Sequence, residues 1–389
     1  MPRFPRAASS AEGLSDRIFG QLVARPRSEP PCPLHVGDTY LEPLECARAE
    51  AQRTDDRPRL HNYAPVQGEP ALLDAIVRKV ERRSGVRLDR ETVQVMSGAT
   101  SGLGVICTAL LDPGDEVLLP APFWPLVRGI IRFSGGRAVE VPFFTRLGEP
   151  DFDPIATLER AITPRTVAIY VNSPHNPTGA ILSDAVIEGI ADLAEKHDLW
   201  VLSDEVYEDL WFGAAPPKSV WAHPRLAQRA IATHSVSKAY GLAGARIGYT
   251  HGPRAIMDVI RGVQTFYTYC APRPMQFGAA RVLDEGDAWL ARARDLYGTA
   301  ARVAADALGV PAPAGGTFLF FDATRHMRPG EALQGFLERC ADAGVMLTPG
   351  TAAGTDYDRW ARLCFTSVPQ PELERALERL RSVLVPTRG

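Results

Sequence analysis

The stretch His234-Ser-Val-Ser-Lys-Ala-Tyr-Gly-Leu-Ala-Gly-Ala-Arg-Ile-Gly-Tyr249 decides how the rest of the chain is read. It holds one lysine, Lys238, flanked by Ser235 and Ser237, with Arg246 eight residues further on. Small residues (Ala239, Gly241, Ala243, Gly244, Ala245) fill most of the interval. The apolar run over residues 230–233 comes just before, so the stretch reads as a strand ending in a loop. An amine set among small residues and hydroxyls, near a fixed cation, can have its pKa lowered, which makes it nucleophilic. Serines beside an arginine also suit a phosphate, because the guanidinium offers a charged bidentate fork. A lone lysine in a glycine-rich turn would be a solvated surface residue. The remainder of the chain argues for a reactive amine beside a phosphate cradle.

The 389 residues suggest two domains, and a chain 45% hydrophobic and 23% charged is an ordinary globular one. A net charge of −3 argues against a general nucleic-acid binder. The six cysteines form no Cys-x-x-Cys pair, which fits reduced thiols in a cytoplasm better than a disulfide framework or a zinc site. The eight histidines show no metal-ligand spacing, and metal catalysis has little support. No apolar run approaches the roughly 20 residues of a membrane helix. The basic start, Met-Pro-Arg-Phe-Pro-Arg, is not followed by an apolar segment of a secretory signal. The expected setting is cytoplasmic.

Residues 1 to about 30 read as a loosely held arm with a short helix over 15–23. Glu69-Pro70 opens a helix to about residue 84, with Leu72, Leu73, Ile76, Val77 and Val80 on one face. A strand over 92–96 runs into Ser97-Gly98-Ala99-Thr100-Ser101-Gly102 and then a helix, which together make an anion site from backbone amides and the helix dipole. These glycines match neither Gly-x-Gly-x-x-Gly nor a P-loop, so a single phosphate fits better than a dinucleotide. Strands follow at 117–119, 138–142 and 167–171, the last apolar enough to be buried on both faces of a parallel sheet. The segment 120–125 reads as too proline-rich for either element, and Trp124 is there as packing or as a stacking partner.

Asn172-Ser-Pro-His-Asn-Pro-Thr-Gly179 leads into a helix over 183–197, and the strand 199–203 ends in Asp204-Glu-Val-Tyr207. A carboxylate at the C-terminal end of a core strand sits where open α/β sheets bind ligands. If buried it needs a cationic or protonated partner, either a protonated heterocycle or a neighbouring arginine. From about residue 286 the pattern shifts to helices over 289–308, 331–343 and 372–384 with strands at 345–348 and 362–366. That is a second, α+β domain, which the N-terminal arm joins.

Ser235-Val-Ser-Lys238 with Gly241, Gly244, Arg246 and Gly248, supported by Asn176-Pro-Thr-Gly179 and Asp204-x-x-Tyr207, resembles the fold-type-I, class I/II (aspartate-aminotransferase-like) aminotransferases, which depend on pyridoxal 5'-phosphate (PLP). The likeness spreads from Gly37 to Arg362. It implies an α/β fold: a large PLP-binding domain over 49–285 with a mainly parallel sheet flanked by helices, and a smaller α+β domain over 286–389 joined by residues 1–48.

The resemblance also implies roles. Lys238 would hold PLP as a Schiff base and move the Cα proton. Asp204 would keep the pyridine nitrogen protonated, and Tyr207 and Asn176 would hydrogen-bond the ring hydroxyl oxygen. Trp124 would stack on the ring. Ala99, Thr100, Ser235, Ser237 and Arg246 would cradle the phosphate. Tyr63 would reach the phosphate of a second subunit, which implies a homodimer. Arg362 would clamp the substrate carboxylate, with a backbone amide from Gly37. The implied reaction moves an amino group between an α-amino acid and a 2-oxo acid in a ping-pong cycle. The same residues also serve elimination, decarboxylation or an oxidase side path.

The chain departs from the family pattern in two places. Asp38-Thr-Tyr-Leu-Glu-Pro43 follows Gly37, and Pro349-Gly-Thr-Ala-Ala-Gly354 has alanine where many relatives carry phenylalanine. No second arginine for a side-chain carboxylate is identifiable. Phe123, Trp124, Tyr40, Tyr267 and Tyr269 hint at an aromatic or apolar pocket, although such a cluster is more often simple packing.

Overall fold

The computed structural model describes residues 30–53 and 56–384. The short helix expected over 15–23 lies outside the described residues. Seven strands build the main sheet: β1 (Val93–Met96), β2 (Glu116–Ala121), β3 (Arg137–Pro142), β4 (Thr166–Asn172), β5 (Trp200–Asp204), β6 (Ala230–Ser235) and β7 (Gly248–His251). Their spatial order is β1-β7-β6-β5-β4-β2-β3. Six run parallel, and β7 is inserted antiparallel between β6 and β1. The C-terminal ends of β1, β4, β5 and β6 therefore share one edge with the start of β7.

Helices cover both faces, so the central strands carry apolar side chains on both. In β4, Ile169 and Val171 belong to one core while Ala168 and Tyr170 belong to the other, as the two-residue strand period requires. The first core packs against α2 (Pro70–Ser84), α6 (Asp184–Lys196) and α8 (Arg273–Glu285). The second packs against α3 (Ala99–Leu110), α4 (Pro125–Phe133) and α7 (Arg254–Tyr267). Each fully buried Leu, Ile or Val there contributes on the order of 1.5–3 kcal/mol. Local signals fix the helix ends. Pro70 sits in the first turn of α2 and Gly85 closes it with φ +74°. The Ser183 hydroxyl accepts a hydrogen bond from the Val186 amide at the start of α6.

The proline-rich segment 120–125 contributes to both element types, contrary to its sequence reading. Pro120 and Ala121 extend β2 beside β3, beyond the last rung that β2 shares with β4 (Leu118 opposite Ile169). Pro120 would point an amide toward β4, where no partner strand remains, so lacking one breaks no rung. Pro125 opens α4, where an amide has no partner within the helix.

A smaller antiparallel sheet has β10 (Trp360–Cys364) between β8 (Phe318–Asp322) and β9 (Thr348–Pro349). With α9 (Asp287–Leu308), α10 (Leu333–Asp342) and α11 (Gln370–Arg381) it encloses a separate core. Cys32 and Leu34 are buried in that core. The Met346 amide donates to the Cys32 carbonyl at 3.1 Å, and the Cys364 amide to the Leu34 carbonyl at 2.7 Å. The strand expected over 345–348 is thus split. Val345 bridges Cys32 in parallel, and only Thr348 and Pro349 pair with β10.

Candidate active site

A cavity lies at the C-terminal edge of the main sheet, closed from the other side by Gly37, Phe318 and Arg362. Apart from Tyr63, every residue to which the family resemblance gave a role lines it: Gly37, Ala99, Thr100, Trp124, Asn176, Asp204, Tyr207, Ser235, Ser237, Lys238, Arg246 and Arg362. Tyr63 stands 80% exposed and packs edge-on against Tyr269, ring centroids 5.0 Å apart.

One end of the cavity is built for an anion. Gly98 takes φ +82° to turn β1 into α3, leaving the first amides of α3 facing the cavity. The approach is tight: a Cβ on Gly248 would stand 2.8 Å from the Ala99 nitrogen and 2.6 Å from the His234 carbonyl oxygen. Arg246 adopts the left-handed conformation (φ +53°), costly for a side chain other than glycine. That turn lays its guanidinium against Gly98, where Nη1 donates to the Ala243 carbonyl at 3.0 Å. The Ser235 hydroxyl donates to Ser237 Oγ at 2.8 Å and accepts from the Ser237 amide at 3.0 Å. Among the described residues no carboxylate pairs with Arg246.

The opposite wall carries an unmatched anion. Asp204 ends β5, is 5% exposed, and pairs with no lysine or arginine among the described residues. Its Oδ2 accepts from the Tyr170 hydroxyl at 2.5 Å and its Oδ1 from the Val206 amide at 3.2 Å. Burial pushes its carboxyl up to about 6, against the pull of those two donors and of His234. Asn172 braces the same loop: its amide donates to the Asp204 carbonyl at 2.9 Å, and its Oδ1 accepts from the Asn176 amide at 2.7 Å. Tyr170 and Asn172 escaped the sequence reading. Tyr170 sits inside an apolar run that reads as plain core, and only the strand register shows it facing Asp204.

Lys238 lies between the two ends. The chain has four lysines. Lys79 is buried against Glu208 and Asp209, Lys196 pairs with Glu159, and Lys218 pairs with Asp184. Lys238 has no carboxylate partner among the described residues; its Nζ donates to the Gly37 carbonyl. Gly37 therefore meets the lysine through its carbonyl, where the expected contact was an amide to substrate. Burial lowers the Lys238 ammonium below the usual lysine range, and Arg246 and Arg362 add to the effect against Asp38 and Cys364.

Arg362, 5% exposed on β10, faces the cavity from the smaller sheet. Nη1 donates to Asn176 Oδ1 at 3.1 Å, and Nη2 donates to the His35 carbonyl and Thr348 Oγ1, each at 3.3 Å. Its Nε has no acceptor, and no carboxylate among the described residues neutralises it. The guanidinium lies 4.1 Å above the Phe318 ring. Asn176 Nδ2 is 3.4 Å from the Tyr207 hydroxyl, so Arg362, Asn176 and Tyr207 form one connected row. Of the aromatic residues that hinted at a pocket, Trp124 alone lines the cavity. Phe123 is core, Tyr40 packs edge-on against Tyr297, and Tyr267 and Tyr269 are exposed.

Among the described residues, an anion cradle, a buried carboxylate without a cation, a lysine without a carboxylate partner and a buried arginine without an acid meet in this one cavity. The family model for aminotransferase class I and II matches residues 30–380, and the chain belongs to that family: it is a PLP-dependent aminotransferase. It is 33% identical over 331 residues to a probable aspartate/prephenate aminotransferase of Thermus aquaticus, covering 83% of each chain. It is 34% identical to an arginine–pyruvate transaminase of Pseudomonas aeruginosa, over 82% of this chain and 81% of that one. Among solved structures, the aspartate aminotransferase from Rhizobium meliloti superposes with a TM-score of 0.90 at 26% identity, over 98% of this chain and 99% of that one.

Proposed function

We propose that Lys238 holds PLP covalently and that the cavity takes an amino acid with a single carboxylate and an apolar or aromatic side chain. The observation that supports this most directly is a set of three unmatched groups. Among the described residues Asp204 is an anion lacking a cation, Arg246 with the α3 amides lacks an anion, and Arg362 is a buried cation lacking an acid. A pyridinium N–H, a phosphate and a substrate carboxylate complement them one for one. The residues present therefore fit PLP.

When bound, PLP supplies an electron sink that allows the Cα–H bond of an amino acid to break. The protein does the rest. Asp204 holds a proton on the ring nitrogen. Tyr207 and Asn176 donate toward the ring hydroxyl oxygen, and Trp124 covers one face. The α3 amides at Ala99 and Thr100, with Ser235, Ser237 and Arg246, anchor the phosphate. Arg362 orients the substrate through its carboxylate. Lys238 Nζ, made easier to deprotonate by burial, takes the Cα proton and returns it. The amino group then passes to a 2-oxo acid in a second half-reaction. Leu103, Trp124, Val206 and Phe318 give the cavity apolar walls, and among the described residues no third arginine lines it. The relatives are named for substrates as different as aspartate and arginine, so the specificity proposed rests on those walls.

A homodimer, with Tyr63 reaching the phosphate of the second subunit, belongs to the same proposal. Tyr63 does not line its own cavity and packs on the exposed Tyr269, and Phe266 (92% exposed) and Tyr267 are exposed as well. So does a cytoplasmic setting, supported by six free thiols; no helix among the described residues is long and apolar enough to cross a membrane. The two cores support a cofactor-binding domain over 49–285 and a small domain over 286–389; of the arm's described residues, Cys32 and Leu34 join the small domain's core and Ala47 the large one's.

The test is a half-reaction on the PLP-loaded protein with single amino acids and no acceptor. Leucine or phenylalanine should give one equivalent of its 2-oxo acid per site, and aspartate far less. A half-transamination leaves the nitrogen on the cofactor, so ammonia released along with the oxo acid would overturn transamination. Aspartate reacting fastest would overturn the apolar specificity.

A further inference from the structure

Tyr170 is absent from the machinery above, yet its surroundings are specific. It lies on β4 opposite Leu202, and Asn172 lies opposite Asp204, so all four side chains leave the sheet on one face. A long side chain at 170 can then reach diagonally across to the end of β5. The other side chains around Tyr170 on β4 are apolar (Ala168, Ile169, Val171), and a phenol in such a place needs a hydrogen-bond partner. Its partner is Asp204 Oδ2 at 2.5 Å, the shortest contact the carboxylate makes.

We propose that Tyr170 is a positioning residue for the amino-transfer site: its hydroxyl fixes the Asp204 carboxylate and keeps it ionised toward the cofactor ring. This rests on the reading that Asp204 faces the ring nitrogen. The charged or titratable groups facing Asp204 are few. They are Tyr170 from β4, Cys107 of α3 behind that tyrosine, His234 from β6, and Glu205 and Tyr207 from its own loop. Among the described residues none is a lysine or arginine, so the ionised form depends on donated hydrogen bonds. Burial favours the protonated acid, and the Tyr170 hydroxyl is foremost among the groups that oppose it. A protonated Asp204 would not attract a pyridinium. Removing the hydroxyl lets the acid hold its proton to higher pH, so cofactor binding should weaken first from the acid side.

The experiment is a double-mutant cycle on the full chain with PLP itself as the probe. Tyr170→Phe, Asp204→Asn and the double variant are freed of PLP, and its Kd and the thermal midpoint are measured between pH 5 and pH 9. Tyr170→Phe should weaken PLP about 10- to 100-fold at neutral pH, the range for a hydrogen bond to a charged group. The pH below which binding fails should rise by about one unit. In the Asp204→Asn background the same change should cost no more than about threefold, because a neutral acceptor gains little from the phenol. An unchanged Kd in Tyr170→Phe beside a large loss in Asp204→Asn would overturn the role of Tyr170 alone. Equal losses in both backgrounds would show packing and overturn it too. A normal PLP affinity in Asp204→Asn would refute the reading of Asp204, and the inference would fall with it.

Discussion

Replacing Lys238 with alanine is expected to reduce transamination by about 10⁴-fold or more, the loss expected when a general base that is also the covalent anchor is removed. No other lysine can stand in. Lys79 is held protonated by Asp209 and Glu208 despite its burial, and Lys196 and Lys218 are paired at the surface. Stability should not fall with activity, since the described bond lost is the one to the Gly37 carbonyl.

The pH dependence of stability gives an independent sign. Burial lowers the Lys238 ammonium in the folded chain, so between that value and the ordinary lysine range the unfolded chain binds more protons. Stability of the PLP-free protein should therefore rise with pH across that window, and the alanine variant should lose this rise. Thermal melts of both proteins across the alkaline range, set beside steady-state turnover, check both halves. A variant that loses activity only by unfolding would contradict the assignment.

Arg362→Leu should lower kcat/KM for amino acids by about 10²- to 10³-fold, as when one partner of a buried charge-assisted pair is removed. Most of the effect should lie in KM, with PLP affinity retained, because Arg362 meets the substrate's end of the cavity. Arg362→Lys should rescue little. A single ammonium cannot reach Asn176 Oδ1, the His35 carbonyl and Thr348 Oγ1 and still present a two-pronged fork to a carboxylate. The leucine variant leaves no unpaired charge behind and removes a buried Nε without an acceptor, so it should fold. Steady-state kinetics with a PLP titration separate the two effects. A loss confined to PLP affinity would remove Arg362 from the substrate end.

The residues whose chemistry is unusual for their place were legible in the sequence. A lysine among small residues, a carboxylate at the end of a buried strand and a glycine turn into a helix each announce a site locally, and the fold gathers them at one sheet edge. Arg362, far away in sequence, came through family likeness, and β10 brings it to the same cavity. Residues that act through register were hidden. Tyr170 reads as one more core aromatic until β4 and β5 are aligned, and Asn172 as the start of a loop. The antiparallel insertion of β7 depends on the close approach of Gly248 to Ala99, which no periodicity reveals. Pro120 and Pro125 looked like breakers, yet both occupy positions where an amide has no partner. Phe123 belongs to the core, and its amide donates to the Ala353 carbonyl at 2.9 Å. Tyr63 illustrates another limit: its expected partner is a second subunit, and nothing in its own chain draws it to the cavity.

The most direct test of the central claim is to reduce the PLP-loaded protein with borohydride, digest it and locate the pyridoxyl group by mass spectrometry. The account predicts stoichiometric modification of Lys238, within the peptide that carries Ser235 and Ser237. Modification of Lys79, Lys196 or Lys218, or a protein that takes up PLP without covalent attachment, would contradict it.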